Sequence, residues 1–204
     1  SKRIASPGCY STGANVIIKP LISSGILSKN IPIIINAVSG YSGGGKSMIK
    51  YFKESGHEPF FNYGLKLNHK HLPEIMYHNK LELTPIFSPS VGDFIQGMIV
   101  SIPLHFSWFN QKVDTEKIQC LLEEFYSEAN FIKVLKKDEG ISDKGYFRPD
   151  NLIGTNCLDI SVFGNDYNNQ LIISSRLDNL GKGASGAAIQ SMNIALGYDE
   201  TLGL

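Results

Sequence analysis

Two runs in which apolar and polar residues alternate lie close together near the end of the chain, CLDISVFG (157–164) and QLIISSRL (170–177). This period of two predicts a pair of adjacent β-strands. The β-branched run IPIIINAVS (31–39) predicts a further buried strand, whereas TEKIQCLLEEFYSEA (115–129) has the spacing of an amphipathic helix. The chain is therefore expected to combine strands and helices in one fold.

The rest of the chain continues this mixture. Further strands are predicted at 61–67, 83–87, 95–105 and 131–135, and further helices at 11–27, 46–55, 71–79 and 183–197. Ser11 or Thr12 is expected to cap the first helix, and the polar stretch 136–151 is expected to be a surface loop. The pattern predicts an α+β fold, a mixed sheet covered by helices, without an internal domain boundary.

The composition excludes several classes of partner. Lys and Arg together number 19, as do Asp and Glu, so no basic field favours nucleic acid or an acidic membrane surface. No apolar run reaches the roughly 18 residues of a transmembrane helix. The three cysteines are widely spaced, which argues against a disulfide framework or a zinc cluster and suits a reducing cytoplasm. We therefore expect a cytoplasmic protein that binds neither nucleic acid nor membranes.

The segment PGCYSTG (7–13) places a thiol where a turn leads into the first helix. Unpaired N–H groups and the positive end of the helix dipole stabilise a thiolate there, which lowers the pKa of the thiol. Cys9 is therefore a candidate nucleophile. Cys120, which lies inside an apolar periodic run, and Cys157 are predicted to be core residues.

The segment NHKHLPEI (68–75) brings two histidines and a carboxylate together. His69 and His71 face the same side of an extended chain, and Glu74 could orient one imidazole as a carboxylate does in a catalytic triad. Three roles stay open on these residues alone. The histidines could be an acid or base for a reactive thiolate, ligands of a metal with Glu74 or Cys9, or structural and surface residues.

Two glycine-rich segments match nucleotide-binding motifs. GYSGGGKS (40–47) fits the phosphate-binding P-loop, which makes a nucleotide hydrolase an alternative, although no apolar strand ending in Asp is found to hold magnesium. Backbone N–H groups of such a loop would still favour an anion. GKGASG (181–186) fits the dinucleotide fingerprint, but no second strand can follow before the chain ends at Leu204.

Taken together, the motifs resemble those of N-acetyl-γ-glutamyl-phosphate reductase of arginine biosynthesis, in its shorter bacterial subgroup. The resemblance runs in family order over nearly the whole chain. It rests on PGCY around Cys9, AVSGYSGGGK (37–46), HKHLPEI (69–75), GDFIQGMIVSIPL (92–104) and DNLGKGASGAAIQSMNIALG (178–197).

The resemblance implies a two-domain enzyme in which an N-terminal Rossmann domain binds NADP(H). The catalytic domain would resemble that of glyceraldehyde-3-phosphate and aspartate-semialdehyde dehydrogenases, with a mixed, largely antiparallel sheet. The chain 1–204 would be this catalytic and dimerisation domain, its final helix (183–197) returning toward a Rossmann domain that is absent from the chain. We expect a homodimer or homotetramer through the sheet, and no reductase activity from these residues alone.

The resemblance also implies roles for individual residues. Cys9 attacks the acyl phosphate of N-acetylglutamyl phosphate, NADPH reduces the resulting thioester to N-acetylglutamate 5-semialdehyde, and His69 is the acid or base. The implied substrate or supporting residues are His71, Glu74, Ser42, Lys46 and Gln96. The implied cofactor contacts are Ser39, Gly40, Asn179, Gly181, Lys182 and Gly183. No metal is expected.

Two positions depart from the family pattern. Ser11 stands where a proline usually follows the Cys-Tyr pair, and Gln96 stands where the longer subgroup has an arginine. Recognition of the substrate carboxylate or phosphate would then need Lys46, Lys70 or another loop residue.

Overall fold

The computed structural model describes residues 3–204, which fold around one seven-stranded sheet. The strands are β1 (Ile34–Gly40), β2 (Phe60–Asn62), β3 (Ile86–Gly92), β4 (Met98–His105), β5 (Ile132–Val134), β6 (Leu158–Asn165) and β7 (Gln170–Leu177). The helices are α1 (Cys9–Ser23), α2 (Gly45–Lys53), α3 (Leu72–Asn79), α4 (Thr115–Phe125) and α5 (Gly186–Leu196). Two 3₁₀ turns follow β1 and β4, and a π-helical turn (Gly181–Ser185) precedes α5.

The strand order is β2-β3-β1-β4-β7-β6-β5. β1 pairs parallel with β3, and β5 pairs parallel with β6, while the remaining neighbours are antiparallel. The two alternating runs at the end of the chain form β6 and β7, which pair from Leu158 opposite Leu177 to Asn165 opposite Gln170. The predicted α+β fold with a mixed, largely antiparallel sheet is confirmed.

The helices α1 and α4 pack on one face of the sheet and enclose the core. Gly13 of α1 approaches β4 and β7 so closely that a Cβ there would lie 2.7 Å from Val100 Cγ2 and 2.9 Å from Ser175 Oγ. The Ser175 hydroxyl donates to the carbonyl of Gly13. Apolar side chains at or near zero exposure, such as Ile17 and Ile118, fill the space between helices and sheet. This packing fixes the start of α1 relative to the ends of β4 and β7.

The opposite face of the sheet carries Ile99, Ser101 and Pro103 of β4 and Ile172 and Ser174 of β7. Ile99, Ser101 and Pro103 are half-buried and Ile172 is 44% exposed. The loop predicted at 136–151 is irregular, as expected. It lies beside Arg176, whose guanidinium stacks on Phe147 and donates to the carbonyl of Gly140.

Several predicted boundaries are wrong. The first helix begins at Cys9, with Gly8 as its N-cap and no capping side chain, so neither Ser11 nor Thr12 caps it. The strand predicted at 61–67 is confined to β2, because Gly64 and Leu67 adopt positive φ and turn the chain. The strand predicted at 83–87 lies further along, as β3.

The prediction that Cys120 and Cys157 are core residues is wrong. Both thiols are exposed and free. Cys120 lies on the outer side of α4, whereas Ile118 and Leu122 of the same helix have zero exposure. The apolar run in the sequence therefore includes Cys120, which lies on the exposed side of the helix.

Within residues 3–204, no helix has the length and apolar character needed to cross a membrane. The prediction that 1–204 form one catalytic and dimerisation domain stays a prediction, and its first two residues, Ser1 and Lys2, lie outside the described residues. The final helix, predicted at 183–197, is present as the π-helical turn followed by α5.

Candidate functional site

Cys9 is the first residue of α1 and is half-buried. Burial raises the pKa of its thiol, and this effect exceeds the lowering by the N–H groups of Tyr10 and Cys9. The expected stabilisation at the helix start is therefore present, but the expected net decrease of the pKa is wrong. The side chain of Lys70 lowers the pKa and that of Glu74 raises it, so both lie within electrostatic reach of the thiol.

His71 lies directly beside the residue that precedes the cysteine. A Cβ built on Gly8 would be 2.3 Å from Nε2 of His71, so the ring packs against the Gly8 backbone. The imidazole is buried, and its Nδ1 has no hydrogen-bond partner among the described atoms. Burial, with contributions from His69 and Lys70, lowers its pKa to about 4. His71 is therefore neutral at physiological pH.

His69 is half-buried, and its ring stands edge-on to that of His71 with 4.7 Å between the centroids. Its Nδ1 accepts the backbone N–H of His71 at 3.2 Å, which leaves Nε2 to carry the proton in the neutral form. Burial and then Lys70 lower its pKa. No hydrogen bond within residues 3–204 joins Sγ of Cys9 to either imidazole, so a proton transfer between them requires a shift of a side chain or a bridging substrate.

Glu74 does not orient an imidazole, and that interpretation of the sequence is wrong. Its carboxylate oxygens accept the backbone N–H of Gly8 at 3.2 and 3.3 Å. Glu74 lies in the first turn of α3, so the contact ties the start of α3 to the start of α1. The carboxylate thus holds the turn that presents Cys9.

Two tyrosines complete the surroundings of the thiol, and sequence reasoning missed both as site residues. Tyr10 is buried and donates its hydroxyl to the carbonyl of Ser90 at 3.0 Å. The Tyr63 ring lies 5.7 Å from that of His69, and its phenol interacts with Tyr10. Burial raises the pKa of Tyr63, and the charge of a Cys9 thiolate raises it further. Tyr10 was visible next to Cys9 in the sequence, whereas nothing local marked Tyr63.

A second group of predicted residues meets around Asn179. Asn179 accepts the N–H of Gly97 at 2.7 Å and donates to the hydroxyl of Ser42 at 2.9 Å. Ser39 donates to the carbonyl of Gly40. The side chains of Ser39, Ser42 and Asn179 are buried, so they hold the backbone in place rather than face solvent.

The glycines of the π-helical turn pack closely, one of them against Cys9. A Cβ on Gly183 would lie 2.7 Å from Cβ of Cys9, and one on Gly181 would lie 2.5 Å from the carbonyl oxygen of Thr155. The ammonium of the buried Lys182 donates to Gln190 at 2.5 Å and lies 5.3 Å from the centre of the Phe131 ring. Burial lowers the pKa of Lys182. These contacts hold the turn, and a direct cofactor contact of Lys182 stays a prediction.

Two of the predicted substrate residues lie elsewhere. The amide of Gln96 donates to both carboxylate oxygens of Asp178, at 2.8 and 2.7 Å, so it points into the protein. Lys46 is exposed in the first turn of α2. Of the cations proposed for anion recognition, Lys70 is the one whose charge reaches Cys9, His69 and His71.

A cavity of about 1070 Å³ lies along β4, β6 and β7, lined by Pro103, Trp108, Phe163 and Ile172 among others. None of its lining residues is a predicted site residue. The described part of the chain contains no group of three His, Cys, Asp or Glu side chains that could hold a metal ion. The candidate site therefore consists of a half-buried thiol, two neutral imidazoles, a phenol and glycine-lined backbone.

The chain is similar in sequence to named reductases. The chain is 45% identical over 212 residues to N-acetyl-gamma-glutamyl-phosphate reductase 2 of Nostoc sp., with 98% of the chain and 66% of that protein covered. It is 41% identical to N-acetyl-gamma-glutamyl-phosphate reductase of Brucella ovis, covering 65% of it. The chain thus spans slightly less than two thirds of these relatives, and the resemblance seen in the motifs is confirmed.

Solved structures with the same fold are semialdehyde dehydrogenases. Aspartate semialdehyde dehydrogenase II of Vibrio cholerae superposes with a TM-score of 0.65 at 15% identity, covering 96% of this chain and 63% of that one. The enzyme of Francisella tularensis gives 0.65 at 13% identity, with 93% and 64% covered. The family model described as "Semialdehyde dehydrogenase, dimerisation domain" matches residues 9–179. Since this match covers most of the chain, from Cys9 to Asn179, the chain belongs to the semialdehyde dehydrogenase family, in its dimerisation domain.

Proposed function

We propose that the chain is the catalytic part of an NADP-dependent reductase of arginine biosynthesis. It would convert N-acetylglutamyl 5-phosphate into N-acetylglutamate 5-semialdehyde and phosphate. The observation that carries the proposal is the position of Cys9, at the first turn of α1, with Gly183 against its Cβ and the neutral His71 against the preceding Gly8. The names of relatives 41–45% identical to the chain support the choice of substrate. No comparison supports the alternative of a P-loop nucleotide hydrolase.

In the first step, Sγ of Cys9 attacks the acyl carbon of the substrate. The new S–C bond replaces the bond between the acyl carbon and the phosphate oxygen, so phosphate leaves and a thioester remains. Because burial raises the pKa of the thiol, the proton needs an acceptor, and the neutral imidazole of His69 is the group we assign. The nearby Lys70 favours the thiolate and the leaving phosphate.

In the second step, the protein donates one proton to the former carbonyl oxygen and later removes it. NADPH, when bound, supplies the hydride that reduces the thioester carbonyl. His69 gives a proton to the developing oxyanion and takes it back when the C–S bond breaks, which releases the aldehyde and restores the thiolate. Tyr63, whose phenol lies near the thiol, supports the same oxygen as a hydrogen-bond donor.

The residues assigned to the cofactor fit the nicotinamide end of NADP(H) through backbone rather than side chains. Gly43, Gly44 and Gly45 are exposed, so the backbone of this turn is accessible to a ligand. Gly183 brings bare backbone against Cys9. Ser39, Gly40, Asn179, Gly181 and Lys182 keep this backbone in position. The rest of the cofactor would be bound by a dinucleotide-binding domain outside this chain.

The acylation half-reaction tests the proposal, because it needs no NADPH. When the chain is mixed with N-acetylglutamyl phosphate, we expect stoichiometric release of phosphate and a gain in intact mass of one N-acetylglutamyl group. Cys9→Ala should abolish both, whereas Cys120→Ala, the same change at an exposed thiol, should keep both. A wild-type chain that stays unmodified, or a Cys9→Ala chain that is acylated, would refute the assignment.

The complete reaction tests the cofactor. We expect NADP reduction by the semialdehyde and phosphate when the chain is joined to a dinucleotide-binding domain, and no turnover by the 204 residues alone. Efficient turnover by the chain alone would contradict the assignment of the cofactor mainly to another domain.

The proposed assembly is a homodimer or homotetramer formed through the sheet face that carries Ile99, Pro103 and Ile172. The family description as a dimerisation domain, the half-buried Ile99 and Pro103 and the exposed Ile172 support it. We also propose a cytoplasmic location, because free cysteines such as these three are typical of a reducing compartment.

A further inference from the structure

The π-helical turn beside Cys9 is held by a buried carboxylate that the proposed mechanism does not use. Asp178 follows β7 directly and is 1% exposed. Its carboxylate accepts the N–H of Leu180 at 2.9 Å, the N–H of Gly154 at 2.8 Å and the Gln96 amide at 2.8 and 2.7 Å. A buried carboxylate is tolerated only when its oxygens are bonded in this way.

The same residue holds the glycine that touches the nucleophile. The carbonyl of Asp178 accepts the N–H of Gly183 at 2.8 Å. A Cβ on Gly183 would lie 3.1 Å from that carbonyl and 2.7 Å from Cβ of Cys9, so backbone of the turn packs directly on the cysteine. A shift of the turn by a fraction of an ångström would therefore open or close this contact.

Gln96 connects this turn to the loop that carries the second group of site residues. The N–H of Ser42 donates to the carbonyl of Ile95, and the N–H of Gly97 donates to Asn179. The Gln96 amide, between these two backbone bonds, reaches Asp178. The pair therefore joins the loop around Gln96 to the π-helical turn that contacts Cys9.

We propose that Asp178 and Gln96 form a clasp that positions Gly183 against Cys9 and thereby sets how far the thiol is withdrawn from water. Asp178 is a positioning residue, since its carboxylate is bonded to Gln96 and backbone N–H groups and acts on the thiol through the turn. Gln96 then acts on the thiol through Asp178 and the turn, rather than by binding a substrate anion. This inference deepens the proposed function, because it rests on Cys9 being the nucleophile.

The charged and titratable groups that face the thiol stay in place when the clasp is broken. These are Lys70 and Glu74, which act on its pKa directly, and the neighbouring Tyr10, Tyr63, His69 and His71. A variant at Asp178 or Gln96 changes none of them. Asp178→Asn also removes a negative charge, which by itself favours the thiolate. Gln96→Ala changes no charge, so a change in the titration of the thiol in that variant reports its exposure to water.

The test is alkylation of Cys9 by iodoacetamide as a function of pH, in a Cys120→Ser, Cys157→Ser background that removes the exposed thiols. Opening the clasp with Asp178→Asn should hydrate the thiol. We expect a several-fold faster reaction at neutral pH and a half-maximal rate at lower pH. Gln96→Ala should shift the profile in the same direction by less, and it carries the test if Asp178→Asn does not fold. Gln96→Arg, whose guanidinium can bond the carboxylate, should restore the wild-type profile.

Two controls separate the clasp from a general loss of stability. Gln119→Ala removes a half-buried glutamine amide bonded to Glu123, and Asp159→Asn removes a buried carboxylate bonded to Arg176. Both should leave the profile unchanged. An unchanged profile in Asp178→Asn and Gln96→Ala, or an equal shift in Asp159→Asn at the same melting temperature, overturns the proposal. Because alkylation needs no substrate, this outcome is independent of the acyl-phosphate assay.

Discussion

The imidazole of His71 occupies the space that a side chain on Gly8 would need. A Cβ at position 8 would lie 2.3 Å from Nε2 and 2.5 Å from Cδ2 of His71, well inside any tolerable contact. Gly8 is also the N-cap of α1 and donates its N–H to Glu74. The absence of a side chain at this position therefore allows α3 to lie against the start of α1.

Gly8→Ala should displace either His71 or the turn that presents Cys9. We expect a loss of stability of about 1–3 kcal/mol, the usual range for overpacking a buried contact, and a strong loss of acylation by N-acetylglutamyl phosphate. Gly145→Ala is the control, because a Cβ there meets open space and only the positive φ strains the chain. It should lower the melting temperature and keep acylation. Full acylation by Gly8→Ala would contradict the assigned geometry.

Lys70 and Glu74 act on the Cys9 thiol with opposite signs. Lys70 lowers the pKa of the thiol and Glu74 raises it, both less than burial does. Lys70→Gln should therefore move the pH midpoint of Cys9 alkylation upward, and Glu74→Gln should move it downward while a carbonyl oxygen still accepts the Gly8 N–H. The control is Lys46→Gln, which removes a cation from the first turn of α2 and should leave the midpoint at the wild-type value. Shifts of the same sign in the two variants would refute the electrostatic account.

These residues also show which parts of the candidate site can be predicted from the sequence. The thiol at a helix start, the two histidines and the glycine turns were all visible locally, and the structure brings them together. The partner of Glu74 was not visible, because Gly8 lies 66 residues away, whereas the two histidines lie close to Glu74 in the sequence and suggested an imidazole instead. The pKa of Cys9 depends on how deeply the thiol is buried. That burial follows from the packing of segments distant in sequence, such as the π-helical turn and α3.

The strands were likewise predicted well where one face of the strand is buried and poorly where long-range contacts turn the chain. Alternation located β6 and β7 to within a residue or two, since both have one face against the core. It failed at 61–67, where the apolar residues Leu65 and Leu67 are exposed and positive φ at Gly64 and Leu67 turns the chain toward His69. A turn of this kind is set by long-range contacts, such as the bond from the Tyr63 N–H to the carbonyl of Pro89.

His69, rather than His71, should carry the proton in the reaction. His71 is buried with its pKa at about 4, whereas His69 is half-buried with its Nδ1 bonded to backbone and its Nε2 left to exchange a proton. In pH–rate profiles of the joined two-domain enzyme, His69→Asn should abolish the limb that reports the acid or base, and His71→Asn should keep it at a lower rate. Loss of that limb in His71→Asn alone would reverse the assignment.

Burial of His71 should make the protein less stable in mild acid. Because its pKa is about 4 in the folded protein and about 6.5 when unfolded, the unfolded chain binds more protons between these values. The contribution is present above pH ~6.5 and is lost as the pH falls toward ~4, by up to about 3 kcal/mol. His71→Gln should flatten this part of the curve of unfolding free energy against pH. His57, whose pKa is raised by the Glu54 carbonyl and then by Asp93, has the opposite sign, so His57→Gln should steepen the fall.

Ile172 offers a direct test of assembly through the face of the sheet opposite α1 and α4. The side chain is 44% exposed between half-buried neighbours and lines the cavity along β4, β6 and β7. A glutamate there would place a charge in the proposed interface, and two-fold pairing would bring the carboxylates of the two copies to the same surface. Ile172→Glu should therefore be monomeric in sedimentation velocity experiments at concentrations where the wild-type chain is dimeric. Tyr77→Glu, a change at an exposed aromatic residue of α3, should stay dimeric, and a dimeric Ile172→Glu chain of unchanged affinity would place the interface elsewhere.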